Sequence, residues 1–285
     1  MFIRNNIILR KGTLLRLSLF LLLVLLVINI GYGQVDQTEK PRGFFLRSGG
    51  GVAYLGGGDF GDMIKINGNN FPEFSDVRGT SYFKSFGGEI GYDLGRVMVG
   101  FESGFISRSF DVVVDDGLYH GPWEHRFSAV PLLLNMYIRM LNTKNWRSYL
   151  LLGGGLYVGK YRETWNWDYL PVEGEKQTGW EESKATRPGY HFGGTSEFQF
   201  NNLISVFVEA RFVFAPFRLL RGKRHYSYSL MKYEEDYEGD LNYLFQETLS
   251  GFYIGDDYSP YLNQSRKAEL DFKGWTFSLG VKLHL

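Results

Sequence analysis

KGWTFSLGVKLHL, residues 273–285, alternates with a period of two. Trp275, Phe277, Leu279, Val281, Leu283 and Leu285 share one face, and Thr276, Ser278, Gly280, Lys282 and His284 share the other. Side chains one residue apart on a strand point to opposite faces, so this pattern is a strand with one apolar face. In a water-soluble sheet that face would meet a core. Here the same alternation recurs along the chain beside small polar partners, which is the arrangement expected when the apolar face meets lipid.

Alternation and turn signals divide the chain into eight such segments, near 43–56, 82–94, 97–110, 126–139, 147–160, 189–200, 203–215 and 274–285. Gly95-Arg96, the stretch from Leu141 to Asn145, and Asn201-Asn202 are tight connections. The links near 57–81, 111–125, 161–188 and 216–273 are long and polar. Short turns on one rim and long loops on the other predict an all-β fold, an eight-stranded antiparallel transmembrane β-barrel with periplasmic turns and extracellular loops. An even strand count brings both ends of the barrel to the periplasmic side.

Parity separates this reading from a soluble, lipocalin-like barrel, whose interior would be apolar. In 203–214, Ile204, Val206, Val208, Ala210, Phe212 and Phe214 oppose Ser205, Glu209 and Arg211. In 126–139, Val130, Leu132, Leu134, Met136 and Ile138 face out, with Asn135, Tyr137 and Arg139 inward. The inward ionisable set is then Arg47, Glu89, Glu102, Arg108, Arg139, Glu197, Glu209, Arg211 and Lys282. A two-residue turn at 95–96 sets Glu89 opposite Glu102, and like charges so placed repel. Arg47 and Lys282 are the nearest cations by topology, while Glu209 and Arg211 are expected to group with Glu197. An eight-stranded barrel is just wide enough for side chains to fill it. The set therefore reads as a hydrogen-bonded plug rather than an ion gate or proton path, with inward Gly49, Gly87, Gly91, Gly100, Gly104 and Gly280 leaving room for long side chains.

The N-terminus supports a membrane destination. Arg4, Arg10, Lys11 and Arg16 precede an apolar run from Leu17 to Ile30, followed by small Gly31 and Gly33. That is the form of a cleaved signal peptide over 1–33, leaving a short periplasmic segment at 34–42 and the barrel domain at 43–285. The run is short for a spanning helix, which needs about 20 apolar residues. No second long apolar run follows, and there is no cysteine for lipidation or disulfides. Four of the 31 basic and none of the 31 acidic residues fall in 1–33, leaving 27 against 31, a net charge of −4. Such a balance offers no broad basic surface for nucleic acid. High glycine (36 residues), 17% aromatics and only 8 prolines suit a glycine-rich sheet with aromatic girdles.

FSAVPLLLNMYIR (127–139) and WRSYLLLGGGLYVGKY (146–161) form a strand, short turn and strand. Through Pro-Leu-Leu-Leu at 131–134, Gly-Gly-Gly at 153–155 and the last strand, the chain resembles the outer-membrane β-barrel families common in Bacteroidetes, the PorT-like proteins among them. The resemblance implies an eight-stranded barrel in the outer membrane of a Gram-negative bacterium of that kind, and association with type IX secretion. It carries over no functional residue. Phe277, Leu279, Val281, Leu283 and Leu285 are the expected signal to the barrel assembly machinery, although such strands usually end in an aromatic residue and this one ends in leucine.

No catalytic set stands out, and the protein is expected not to be an enzyme. His191, Thr195 and Glu197 share a face but span roughly 20 Å at ~3.3 Å per residue, too extended for a triad. His120 and His125 flank an expected turn and are a weak metal signal. No cofactor or metal site is expected. Trp165, Trp167, Tyr169 and Trp180 lie in the third expected loop, and Tyr226, Tyr228, Tyr233 and Tyr237 in the fourth. Clustered tyrosine and tryptophan supply contact area at low entropy cost. The alternative is interfacial anchoring, with Arg218, Arg221, Lys223 and Arg224 on lipid headgroups. Glu234, Glu235, Asp236, Glu238 and Asp240 read as a solvated run rather than a calcium loop. The expected function is structural or partner-binding through the outer loops, within an envelope or secretion assembly; a narrow channel for ions or small solutes is the alternative. Expected partners are outer-membrane lipid and lipopolysaccharide, the assembly machinery and an extracellular or secretion-system protein.

Overall fold

The computed structural model describes residues 43–56, 58, 60, 78–79, 82–115, 118–143, 145–218, 220–230, 232–245, 250–255 and 265–285. The expected signal peptide and the 34–42 segment lie outside the described residues. Strands follow in the order β1 (Gly43–Leu55), β2 (Arg78–Gly79), β3 (Phe83–Asp93), β4 (Val97–Asp115), β5 (Tyr119–Asn142), β6 (Trp146–Tyr169), β7 (Lys176–Gln199), β8 (Ile204–Arg218), β9 (Arg221–Tyr228), β10 (Tyr233–Phe245), β11 (Ser250–Gly255), β12 (Ser265–Lys267) and β13 (Glu269–His284).

Eight of them close a ring in the order β1, β3, β4, β5, β6, β7, β8, β13, each antiparallel to its neighbours. Closure is made by β1 on β13, where Arg47 is the register partner of Lys282 and Leu55 that of Gly274. A closed ring leaves no unpaired edge, which is what a sheet crossing lipid requires. The fold is an eight-stranded antiparallel transmembrane β-barrel.

The exterior is apolar over a band of defined height. On β6 the outward positions run from Trp146 to Leu156 and Val158, both at least 36% exposed, and the next two outward residues are Lys160 and Arg162. The twelve residue-to-residue steps from Trp146 to Val158 at ~3.3 Å each, tilted by the ~40° usual in barrels, cover about 30 Å of height, the thickness of a hydrocarbon core. Leu134 and Phe86, each 68% exposed, show how fully the outer face lacks protein cover. The expected assembly residues Phe277, Leu279, Val281, Leu283 and Leu285 lie on this face of β13.

The short-turn rim is built locally. At the β3–β4 turn, Gly95 adopts φ 98°, a left-handed conformation that glycine takes without steric cost, and its N–H donates to Asp93 Oδ1 at 2.7 Å. Asn201 Oδ1 accepts from Leu203 and Ile204 N–H at 2.8 Å each, fixing the β7–β8 turn.

The far rim departs from expectation. Residues 111–115 and 119–125 remain paired strand, and so do 161–169 and 176–188, so two of the expected loops are strands joined by tight connections. The strands outlast the membrane: above the band the outward residues become charged, apolar contrast disappears, and the ladder alone persists. The fourth expected loop, 216–273, also carries strands, β9 to β12. β9 takes over from β8 as the partner of β7, pairing with Gln177–Lys184 where β8 pairs with Tyr190–Gln199. Pro188 and Pro216 fall near the handover, where their missing N–H groups suit a break in the ladder. Arg187 covers the break by donating from Nε to the Arg218 carbonyl at 3.1 Å.

Candidate functional site

Inward parity on β1, β3, β4, β5, β7 and β8 gathers one ionic layer. Arg47 Nη1 lies 3.1 Å from Glu89 Oε2 and its Nη2 3.2 Å from Glu209 Oε2. The same nitrogen donates to Thr195 Oγ1 at 3.2 Å, and the guanidinium stacks 3.8 Å from the Phe207 ring centre. Arg211 Nη1 pairs with Glu102 Oε2 at 2.9 Å and its Nε donates to Glu209 Oε1 at 2.7 Å. Tyr137 Oη donates to Glu89 Oε2 at 2.7 Å and itself accepts from Arg47. His191 Nε2 donates to Asn135 Oδ1 at 3.0 Å, so His191 lines the lumen apart from Thr195 and Glu197. A cavity of about 70 Å³ beside Arg47, Glu89, Glu102 and Arg211 has room for a few waters.

A second layer lies nearer the short-turn rim. Glu197 receives Lys282 Nζ at 3.0 Å, His284 Nε2 at 3.1 Å and Ser205 Oγ at 2.7 Å. Arg139 pairs with Asp93 at 3.4 Å, and Arg147 stands 3.8 Å from Glu197. The grouping therefore differs from expectation. Glu209 and Arg211 join Arg47, Glu89 and Glu102, whereas Lys282 serves Glu197. Register explains the exchange: Lys282 faces Ser205 on β8, two rungs from Glu209, which faces Ser278. Parity does not single out Asp93 and Arg147, which sit at strand ends where a short alternating run gives little signal; His284 shares the inner face of Lys282 but lies outside the expected ionisable set.

Above the ions, the lumen is apolar. Phe83, Phe127, Phe217 and Phe272 are fully buried and interlock, with Phe127 stacked on Phe272 at 4.7 Å between ring centres and Phe83 edge-on to Phe272 at 5.2 Å. Tyr157, Tyr161, Phe60 and Phe110 extend the same cluster. Arg108 turns into this layer, its guanidinium 5.8 Å from the Phe83 ring, instead of joining a carboxylate cluster. The aromatic layer was visible in principle, since each phenylalanine keeps the inward parity of its strand.

Beyond the band the inner face changes again. His125 stacks on Phe110 at 4.4 Å and contacts Tyr161 Oη at 2.9 Å, while Trp123 Nε1 donates to Glu163 Oε1 at 2.7 Å. His120 and His125 stand five residues apart on β5, on opposite faces, so they do not form a metal pair. Among the described residues no group of three or more metal-ligating side chains converges. Trp165 and Trp167 face inward, and Arg224 on β9 reaches across to Glu181 at 3.1 Å with its charge 5.5 Å from the Trp165 ring. Tyr169 packs on Tyr119 at 5.3 Å, whereas Trp180 lies on the outer face against His225 at 6.2 Å.

The β9–β10 hairpin continues this inner face with tyrosines. Tyr226 stacks on Tyr237 at 5.9 Å and lies 6.0 Å from both Tyr228 and Tyr233. Tyr226 and Tyr233 both donate to Glu235, and these hydroxyls with that of Tyr237 hold its carboxyl below the usual range. Hydrogen bonding to the same carboxylate pushes the Tyr233 phenol up. The acidic run is split by strand parity: Asp236 meets His225 at 2.9 Å, Glu238 meets Lys223 at 3.7 Å and Asp240 meets Lys267 at 2.8 Å. The arrangement is one inner face, ionic below, phenylalanine-filled at mid-height and rich in tryptophan and tyrosine above the lipid.

No family model matches the chain, and no curated protein matches it. Among solved structures, it is similar to a major outer membrane protein from Thermus thermophilus, with 10% identity over 85% of this chain and 99% of that one and a TM-score of 0.43. It is also similar to the outer membrane protease OmpT from Escherichia coli, with 9% identity over 89% of this chain and 99% of that one and a TM-score of 0.28.

Proposed function

We propose that this protein is a non-conducting outer-membrane barrel whose filled lumen acts as a rigid stem, holding an aromatic sheet outside the cell for a protein partner. The observation that carries the reading is the length of β5, β6 and β7, 24 residues each against the dozen that cross the lipid. Long paired strands hold side chains at fixed spacing where a loop would let them move. Their inner face and that of β9–β10 carry Trp123, Trp165, Trp167, Tyr226, Tyr228 and Tyr237 beside Arg224 and Glu235, the residue types that anchor protein interfaces. The reading is non-catalytic. Membership of an envelope or secretion assembly fits it, as the PorT-like sequence features at 131–134 and 153–155 imply. The channel alternative needs the Phe127–Phe272 layer to part.

Site-specific photo-crosslinking in native membranes tests the proposal. A benzophenone at Tyr237 is expected to give a discrete adduct, and one at lipid-facing Leu134 none. Recovery of the barrel alone from both positions would overturn it.

A further inference from the structure

At the upper edge of the apolar band, β5, β6 and β7 turn outward four cations on adjacent rungs. Arg126 is the register partner of Arg162, and Lys160 that of Lys184. Directly opposed residues on antiparallel strands lie about 4.5–5.5 Å apart at Cα, and like charges so placed repel. One carboxylate answers part of this charge: Glu182 receives Lys160 at 2.6 Å and Lys184 at 2.9 Å. No ion pair within 4 Å joins Arg126 or Arg162 to a carboxylate among the described residues, although Glu182 is also the register partner of Arg162, and Glu124 stands one outward rung farther from the band. Arg126, Lys160 and Arg162 are thus the outward neighbours of Ser128, which faces Lys160, and Lys184 lies one strand beyond. The next outward residues toward the membrane are Val130, Leu156 and Val158.

We propose that Arg126, Lys160, Arg162 and Lys184 form a binding site for the phosphate groups of a phosphorylated glycolipid of the outer leaflet. Guanidiniums bind phosphate oxygens in bidentate fashion, and a phosphate monoester near the surface carries up to two negative charges. The position selects a lipid over a free anion: a headgroup held here sets its acyl chains against Val130, Leu156 and Val158. Lys84 on β3 and Lys273 on β13 also turn outward near the top of their strands, so the quartet is the densest group of a basic collar. The proposal rests on the outer-leaflet orientation of this rim given above.

The test is native mass spectrometry of the detergent-solubilised full chain titrated with diphosphorylated lipid A, the same glycolipid after phosphatase treatment, and phosphatidylcholine. Discrete one-to-one retention of lipid A is expected, at least tenfold above the other two. Arg126→Gln with Arg162→Gln is expected to lower retention at least tenfold while the heat-induced gel shift of the folded barrel persists. Equal retention of the phosphorylated and dephosphorylated glycolipid by the wild-type chain would overturn the site without any variant. Full displacement of lipid A by millimolar inorganic phosphate would overturn it in favour of a free-anion site. Absence of the heat shift in the wild-type chain would instead count against the barrel reading on which the site rests, and so against both.

Discussion

Glu89 and Glu102 are register partners on β3 and β4, and one amide nitrogen, Asn135 Nδ2, donates to both, at 3.0 Å and 2.7 Å. Two carboxylates opposed in a water-poor lumen need more than one cation, because each must be satisfied separately. Arg47 serves Glu89, Arg211 serves Glu102, Glu209 receives both arginines, and Asn135 ties the two glutamates together.

Removing that tie isolates the repulsion. Asn135→Leu is expected to lower unfolding free energy by about 1–3 kcal/mol, the cost of leaving buried acceptors short of a donor. Arg47→Met is expected to cost more, about 3–5 kcal/mol, because it strands Glu89 and Glu209 together. Urea unfolding in detergent or lipid, followed by tryptophan fluorescence, measures both. Equal, small effects would show the layer to be wetter than its burial implies.

The glycines of the lumen make a sharper contrast. A Cβ on Gly100 would lie 2.1 Å from Glu89 Oε1, and one on Gly153 2.4 Å from His191 Nε2, whereas one on outward Gly88 meets nothing nearer than 3.5 Å. Gly100→Ala and Gly153→Ala are expected to reduce the yield of heat-modifiable barrel several-fold, and Gly88→Ala to leave it unchanged. Semi-native gel electrophoresis of refolded protein reads this directly.

These features were unequally legible in the sequence. The lipid face announced itself, since Trp275 to Leu285 alternates throughout, Ile204 to Phe214 keeps every outward position apolar with lapses only at inward Phe207 and Val213, and lipid imposes apolar outward residues along the whole span. The opposition of Glu89 to Glu102 followed from a two-residue turn. Parity alone does not supply height within the lumen, so it puts Lys282 beside the wrong glutamates. Above the lipid the outward residues become polar, as at Arg162, Thr164, Asn166 and Asp168, so the apolar outer face that marks the lower strands is gone and the extensions at 111–125 and 161–188 have the composition of loops, although Trp165 and Trp167 keep the inward parity. The phenylalanine layer is hard to see for a different reason: an apolar residue on the inner face reads as a lapse in the alternation, whereas a charge there stands out.

Phe127 tests the aromatic layer. Its ring meets Phe83, Phe217 and Phe272 within 6.2 Å, and Phe127→Ala is expected to cost about 3–5 kcal/mol by opening a cavity that its neighbours fill poorly. Phe101→Ala, on the lipid face, is expected to cost less, since acyl chains can occupy the vacated space. The comparison uses the same urea titration.

Glu235 supplies a pH-dependent contact on the β9–β10 hairpin. Its carboxyl is held below the ordinary value by the hydroxyls of Tyr226, Tyr233 and Tyr237. A folded-state pKa below the unfolded value of about 4.3 stabilises the hairpin above that pH, and the stabilisation is lost as pH falls through the folded value. Hydrogen-exchange protection of the hairpin amides is expected to hold from neutral pH down to about 5 and to weaken below about 4, after correction for intrinsic exchange. Glu235→Gln is expected to flatten the dependence. A loss of protection on raising pH from 5 to 8 would contradict this account.

The claim beneath all of these is that side chains fill the lumen from the ionic layers to the phenylalanines, leaving the extracellular sheet as the working part. Single-channel recording of the purified wild-type barrel in planar bilayers tests it most directly. The account predicts a silent baseline after verified insertion, with no steady open level at either polarity. A stable, voltage-independent conductance step from the wild-type chain would contradict it.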